Sequence, residues 1–385
     1  PSAGPHGTIY TVGMSKDALG NYHQRIHALD VTTGAEEFGG PKDIQATYPG
    51  TGDNSSGGSV IFDAGQQVDR PALLLSNGVI YTSWGSHCDF RPYTGWVIGY
   101  DEHTLAQVAV LNVTPNGSEG SLWMSGAGPA ADSNGNIYAL DANGTFEATL
   151  NPQGFPVQGD FGNAFLKIAT TNRQLTVADY FETSNQAAEN SSDEDLGSGG
   201  ALVLPDLADS SGQTRHLAVG AGKDANLYIV DRDSMGKFSP NSNNIYQEVQ
   251  GALAGSVFSM PAFFNNTIYY GAVGDSIKAF RITTGKLATS PASQTAMGFA
   301  YPGATPSISA NGSNNGILWA AENANPAVLH AFDAGNLANE LYNSNQAPGG
   351  RDHFGAGNKF ITPTVINGKV YVGTTTGVGV FGLMH

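Results

Sequence analysis

The chain has 385 residues and a formal net charge of −16, with 17 Lys plus Arg against 33 Asp plus Glu. Such a surface repels phosphate backbones and anionic bilayers, which excludes non-specific nucleic-acid binding, and no apolar stretch reaches the ~20 residues that cross a bilayer as a helix. Its single cysteine, Cys88, rules out an internal disulfide, and 51 Gly with few cations suit short strands and tight turns.

Two phrases alternate along the chain. The first is an apolar strand that carries an aromatic. The second is a strand that commonly ends in Asp and a turn. In chain order they read GTIYTVG (7–13) with RIHALDVTTG (25–34), GVIYTSW (78–84) with WVIGYDEHTL (96–105), and GNIYALD (135–141) with FLKIATTN (165–172). RHLAVGA (215–221) with NLYIVDRDSMG (226–236) and NTIYYGA (266–272) with SIKAFRITTG (276–285) follow. GILWAAE (316–322) with VLHAFDAGNL (328–337) and GKVYVGT (368–374) with VGVFGL (378–383) complete the set. A period of roughly 40–70 residues with several strands per unit predicts a radial array, since one unit cannot bury its own apolar face. The expected fold is an all-β, seven-bladed β-propeller of four-stranded antiparallel blades in one domain spanning 1–385.

Each unit parses into strands A to D, the phrases being B and C. Tyr10, Tyr81, Tyr138, Val219, Tyr269, Trp319 and Tyr371 fall at equivalent positions of strand B. Strand A is expected at 71–78, 128–135, 200–207, 261–267, 306–312 and 362–368. Polar pairs such as Asn-Gly close the A–B hairpins, because primed turns need positive φ. Strand D is expected at 35–39, 106–113, 175–181, 245–249, 286–290 and 338–342. The first unit lacks A and the last lacks D, so the closing blade is expected to be incomplete or edged by residues 1–6. No secretory leader is visible, so the chain reads as mature or trimmed.

The B–C and D–A loops are long and are expected to open on one face around a central channel, where binding and catalysis concentrate. The richest loop is SWGSHCDFRPYTGW (83–96). His87 and Asp89 suit a metal or an acid–base pair, Arg91 suits a carboxylate, and Trp84 offers an aromatic wall. The plainer reading is a loop stapled by its own Asp–Arg pair. GGRDHFG (349–355) adds Arg351, Asp352 and His353, and GAGKDAN (220–226) adds Lys223, which is either an anion ligand or a solvated turn residue. GTGDNSSGGS (50–59) brings Asp53 and Ser55, and NSSDEDLGSGG (190–200) brings three consecutive acids. Ca²⁺ suits the hard oxygens of both, although solvated loops of this composition are common. Trp123 is a further candidate for ligand stacking. DSNGN (132–136) is read as hairpin-turn chemistry. His23 and His27 share a strand face but lie ~13 Å apart, too far for one metal.

The pairing of a Tyr-bearing strand with RIHALDVTTG, SIKAFRITTG and VLHAFDAGNL resembles the PQQ-like (pyrroloquinoline-quinone-like) repeat. SNGVIYTSWGSH, WMSGAGPAAD, DLGSGG and YPGATPSISANG are similar to bacterial PQQ-binding-like propeller proteins, most of which are exported. The resemblance implies a propeller in an extracellular or periplasmic setting. It extends to quinone-dependent dehydrogenases, which commonly have eight blades, recurrent tryptophan motifs and, in many cases, vicinal cysteines. This chain has four Trp and one Cys, so PQQ is not expected to bind tightly. The expected function is a monomeric binding or scaffold protein for a carbohydrate, another polymer, a small molecule or a protein. The alternative is an enzyme, either a lyase or hydrolase on acidic sugars or a quinoprotein oxidoreductase, using His87, Asp89, Arg91, Lys223 and Arg351.

Overall fold

The computed structural model describes residues 4–382; the outer residues of the edge expected from 1–6, and Leu383 of the last phrase, lie outside them. The chain is all-β, with helix confined to Gln186–Ser192 and three short 3-10 turns among the described residues. It divides into two compact units: Pro1–Trp123, Gly128–Asp193 and Lys237–Asn244 form one, and Met124–Ala127, Glu194–Gly236 and Ile245–His385 the other.

Each pair of phrases lies on one antiparallel sheet. In the first unit the B and C strands are Thr8–Lys16 with Tyr22–Asp30, Val79–Ser86 with Trp96–Asp101, and Ile137–Leu140 with Phe165–Ala169. In the second unit they are Leu217–Gly220 with Leu227–Asp231, Thr267–Tyr270 with Ser276–Thr283, Asn314–Glu322 with Val328–Asp333, and Lys369–Gly373 with Val378–Gly382. The seven B-strand positions are equivalent in register. Tyr10, Tyr81, Tyr269 and Trp319 stand opposite Ala28, Gly99, Ala279 and Ala331, each two residues before the C-strand Asp or, in the fifth sheet, Arg281. A small residue opposite leaves room for the ring: a Cβ on Gly99 would lie 3.1 Å from Tyr81.

Strand alternation sends successive side chains to opposite faces. In the fifth sheet Ile268 and Tyr270 pack with Val219 and Ile229 of the fourth. Tyr269 between them packs with Leu318 and Ala320 of the sixth. Trp319 in turn packs against Val370 and Val372 of the seventh. In the first unit Ile26 and Ala28 meet Trp84, Trp96 and Ile98 of the second sheet. Sheets covered on both faces explain why Val79–Ser86 is buried at every position. A hydroxyl interlock accompanies this packing. Tyr10 donates to the Glu102 carbonyl at 2.9 Å, and Tyr269 to the Ala334 carbonyl at 2.8 Å, each just past the C-strand Asp of the following sheet. Tyr81 bonds the Thr170 side chain at the corresponding place in the third sheet.

The turns follow from local chemistry. Asn77 and Gly78 adopt φ of 51° and 76°, as do Asn367 and Gly368 at 50° and 72°, which gives primed hairpins. The Asp-x-Thr-Thr-Gly turn is an Asx turn: Asp30 Oδ1 accepts from both the backbone and hydroxyl of Thr32 and of Thr33. Asp132 accepts from Asn134, Asn136 and Tyr138, so DSNGN is a hairpin turn.

Three strand expectations are corrected. The stretch 35–39 contributes only a bridge from Glu36 to Leu29, and the ladder on strand Tyr22–Asp30 is Lys42–Asp43. Lys286–Leu287 folds back on the end of its own C strand, because Thr284 and Gly285 at positive φ form a tight turn; Ser293–Gly298 takes the outer position. The stretch 200–207 splits at Pro205, which has no N–H to donate. Leu202–Val203 pairs with Leu217–Gly220, and Leu207–Ala208 with Thr214–Arg215. The loop at 40–70 holds a small sheet of its own, Thr47–Pro49, Ser55–Ser56 and Ser59–Ile61.

Candidate functional site

In the first unit the loop after Val79–Ser86 is an exposed tip on a buried stem. Residues 87–92 are exposed, whereas Trp84 and Trp96 on either side are fully buried. Cys88 and Asp89 turn the chain at φ of 56° and 53°, and Phe90 at the apex is 70% exposed. The tip is tied at several points. His87 N–H donates to the Gln66 carbonyl at 3.0 Å, and the Gln66 amide donates to the Phe90 carbonyl. Tyr93 donates its hydroxyl to Asp89 at 3.0 Å. Arg91 grips Asp53 through two parallel bonds of 2.8 and 2.9 Å, and the Tyr93 N–H adds a third donor to that carboxylate at 3.3 Å. The staple expected between Asp89 and Arg91 is therefore corrected: Arg91 binds Asp53, from a loop 38 residues upstream. This bond holds the Arg91 guanidinium above its ordinary pKa. Burial raises the nearby Glu119 carboxyl, against the pull of Arg91.

The aromatic candidates differ. Trp84 donates its indole N–H to Thr82 at 2.8 Å and meets Phe62 edge to face, so no face of its ring is open to a ligand. Trp123 is half-buried, with the Arg70 guanidinium 5.1 Å above its ring. Gly85 lies flat against that ring, where a Cβ would come within 2.9 Å. Ser55 is exposed on the small sheet, beside Asp53.

In the second unit Lys223 pairs with the buried Asp195 at 2.7 Å. Arg351 forks onto its neighbour Asp352 at 2.6 and 2.8 Å, and Tyr342 donates to the same carboxylate at 2.5 Å. Those bonds, Arg351 first, hold Asp352 down at about 2. His353 is exposed in the same loop.

The residues suggested for Ca²⁺ do not fit that ion. Asp53 is engaged by Arg91, Asp195 by Lys223, and Asp193 accepts from the Asn143 amide. Among the described residues no group of three or more His, Cys, Asp or Glu is placed to hold a metal.

Sequence reasoning missed two acid sites in the first unit, one of them fully buried. Asp141, Glu182 and Glu189 are at most 2% exposed. Glu189 accepts from Asn163 and Thr183, and Glu182 accepts from the Thr183 N–H. Burial first, then the charges of Asp141 and Glu189, push the Glu182 carboxyl well above its ordinary range. Asp69 is pushed up to about 8 by burial, and its Oδ1 has no hydrogen-bond partner. The only sequence signal was position: Asp141 ends a B phrase, and Glu182 follows a D strand.

No family model and no curated protein matches the chain. Solved structures do. A quinohemoprotein alcohol dehydrogenase from Pseudomonas putida HK5 aligns at TM-score 0.57 and 12% identity over 95% of this chain. This chain spans 60% of that protein's length. A quinohemoprotein alcohol dehydrogenase from Comamonas testosteroni aligns at 0.49 and 11% identity, covering 94% of this chain and 68% of that one. BamB from Moraxella catarrhalis aligns at 0.42 and 10% identity, covering 97% and 99%. With sheets packed through both faces and a B-strand aromatic repeated in register, the chain has the fold of the PQQ-like β-propellers.

Proposed function

We propose that the chain is an exported β-propeller of the binding or scaffold type, extracellular or periplasmic, whose seven sheets are the blades of one domain. Its long B–C and D–A loops engage a carbohydrate, another polymer or a protein. The observation that supports this reading over an enzyme is the pairing of the expected catalytic cations. Arg91, Lys223 and Arg351 each have a carboxylate partner within their own unit. A lyase or hydrolase on acidic sugars needs such groups available to the substrate carboxylate. What the 87–92 loop offers instead is a stapled tip with an exposed aromatic, a geometry suited to docking.

The test uses the whole chain. Incubation with PQQ and Ca²⁺ in a dye-linked assay on alcohols and sugars, and with polygalacturonate or alginate in a depolymerisation assay, is expected to give no turnover. Turnover in either assay that is lost in Arg91→Ala or Lys223→Ala restores the enzyme reading. A polysaccharide panel run by affinity electrophoresis is expected to find a ligand whose retardation falls in Phe90→Ser. A ligand whose binding is indifferent to the loop tip removes the loop face from the proposal.

A further inference from the structure

The second unit carries a hollow of about 390 Å³ at the turn end of the fifth and sixth sheets, away from their B–C loops. One wall is the face of the fifth sheet that packs on Leu318 and Ala320 of the sixth. Thr267 stands opposite Arg281 and Tyr269 opposite Ala279, so strand alternation puts these four and Thr283 on that face. Arg281 is exposed, and it is the only charged residue that lines the hollow. Four other sheets have Asp at its position: Asp30, Asp101, Asp231 and Asp333, opposite Thr8, Val79, Leu217 and Ile317. There the carboxylate caps its own turn, as at Thr32 and Thr33 and at Gly335 N–H. A guanidinium accepts no hydrogen bond and cannot take that role.

Arg281 also stands apart from the other arginines. Arg25, Arg91, Arg173, Arg215 and Arg351 bind carboxylates, Arg232 binds the Leu217 carbonyl, and Arg70 lies over Trp123. Among the described residues Arg281 has no ion pair, ring partner or side-chain hydrogen bond. Asp333 acts electrostatically on the same Tyr269 hydroxyl as Arg281, but its Oδ1 accepts from Gly335 N–H at 2.8 Å. A fork of N–H donors suits a planar carboxylate. One cation matches one negative charge, whereas a dianion would leave its excess near Asp333 in a chain of net charge −16. The rest of the lining is uncharged. The Asn266 amide and the Thr283 hydroxyl have no hydrogen-bond partner among the described residues. Ser293 accepts from Leu337 N–H at 3.1 Å and keeps its own proton to donate. These groups suit hydroxyls carried beside the carboxylate. No His, Lys, Asp or Glu lines the hollow, and Tyr269 donates its proton to the Ala334 carbonyl, so the site is built to hold a ligand and not to cleave it.

We propose that this hollow binds a small polyhydroxylated monocarboxylate of the hexuronate class, with Arg281 forked onto the carboxylate. The site belongs to the other unit from the 87–92 tip and does not depend on that loop. Calorimetric titration of the full chain at low salt with D-galacturonate and D-glucuronate tests it, with D-galactose, acetate and inorganic phosphate as separate probes. At least one of the two hexuronates is expected to bind at least tenfold more tightly than each of the other three. Arg281→Ala should weaken that binding at least tenfold. Arg281→Lys, which keeps the charge and loses the fork, should recover only part of it, and Phe90→Ser should leave it unchanged. Arg281 is exposed, so melting curves of both its variants should match the parent, which separates lost binding from lost folding. No binding of either hexuronate, equal binding in Arg281→Ala, or equally tight binding of galactose, acetate or phosphate overturns the inference. Loss in Phe90→Ser with Arg281→Ala unchanged overturns it while sparing the loop-face reading.

Discussion

Carboxylates in this chain are pulled in two directions, and the pH dependence of stability separates them. Asp17 is held at about 2, chiefly by the Asn21 side chain, and Asp352 at about 2 by Arg351. Their folded values lie below the unfolded one, so their contribution is present above pH ~4 and is lost as pH falls toward 2. Asp69 has the opposite sign. Its folded value of about 8 lies above its ordinary 3.8. The folded state therefore binds more protons across that window, and stability declines as pH rises from ~4 to ~8. Asp69→Asn should raise stability by about 1–3 kcal/mol at pH 8 and change it little at pH 4, as measured by urea unfolding at the two values. An equal shift at both values would show that the carboxyl does not titrate there. Much at this scale was hidden in the sequence. Arg91 and Asp53 are 38 positions apart, and only the folded chain joins them. Trp84 was legible in principle. It lies inside the strand phrase GVIYTSW rather than in the loop that follows, and every residue of Val79–Ser86 is buried.

At the level of elements, the B and C strands were readable because period-2 alternation and the Asx turn are local signals. The D strands were less so. They are short, and the backbone position of a turn such as Thr284–Gly285 decides whether the next residues fold back or continue. Two substitutions test how sheets meet. Tyr269→Phe removes a buried hydroxyl bond to the Ala334 carbonyl and should cost about 1 kcal/mol without altering the fold, read by thermal melting and circular dichroism. Gly95→Ala places a Cβ 1.8 Å from the Gly120 carbonyl oxygen and should cost about 1–3 kcal/mol or more, since backbone must move. A neutral result at Gly95 would mean that the two segments separate more readily than their contacts imply.

For the whole molecule, the charge of −16 is the dominant electrostatic fact. Exposed like charges repel over about 10 Å at 0.1 M salt, so adding NaCl from 10 to about 200 mM should raise the melting temperature by a few degrees. A fall would mean that the exposed pairs Arg91–Asp53, Arg173–Asp101 and Arg351–Asp352 outweigh the net repulsion. The repeat phrases announced the all-β fold across the chain. The small sheet of Thr47–Pro49, Ser55–Ser56 and Ser59–Ile61 was not announced, because it lies inside a segment that reads as loop.

The tyrosine interlock also bears on how freely such a sequence can drift. In two of its three instances the hydroxyl reads a main-chain carbonyl of the next sheet, at Glu102 and at Ala334. A carbonyl is supplied by whatever residue stands there. The neighbour's identity is thus free to change while its position is not, and the position just past the C-strand Asp shows that freedom, with Glu102 in one sheet, Ala334 in another and Thr170 at the corresponding place in a third. Mutational tolerance should accordingly be high at residues such as Glu102 and Ala334, and low at the tyrosines that measure them.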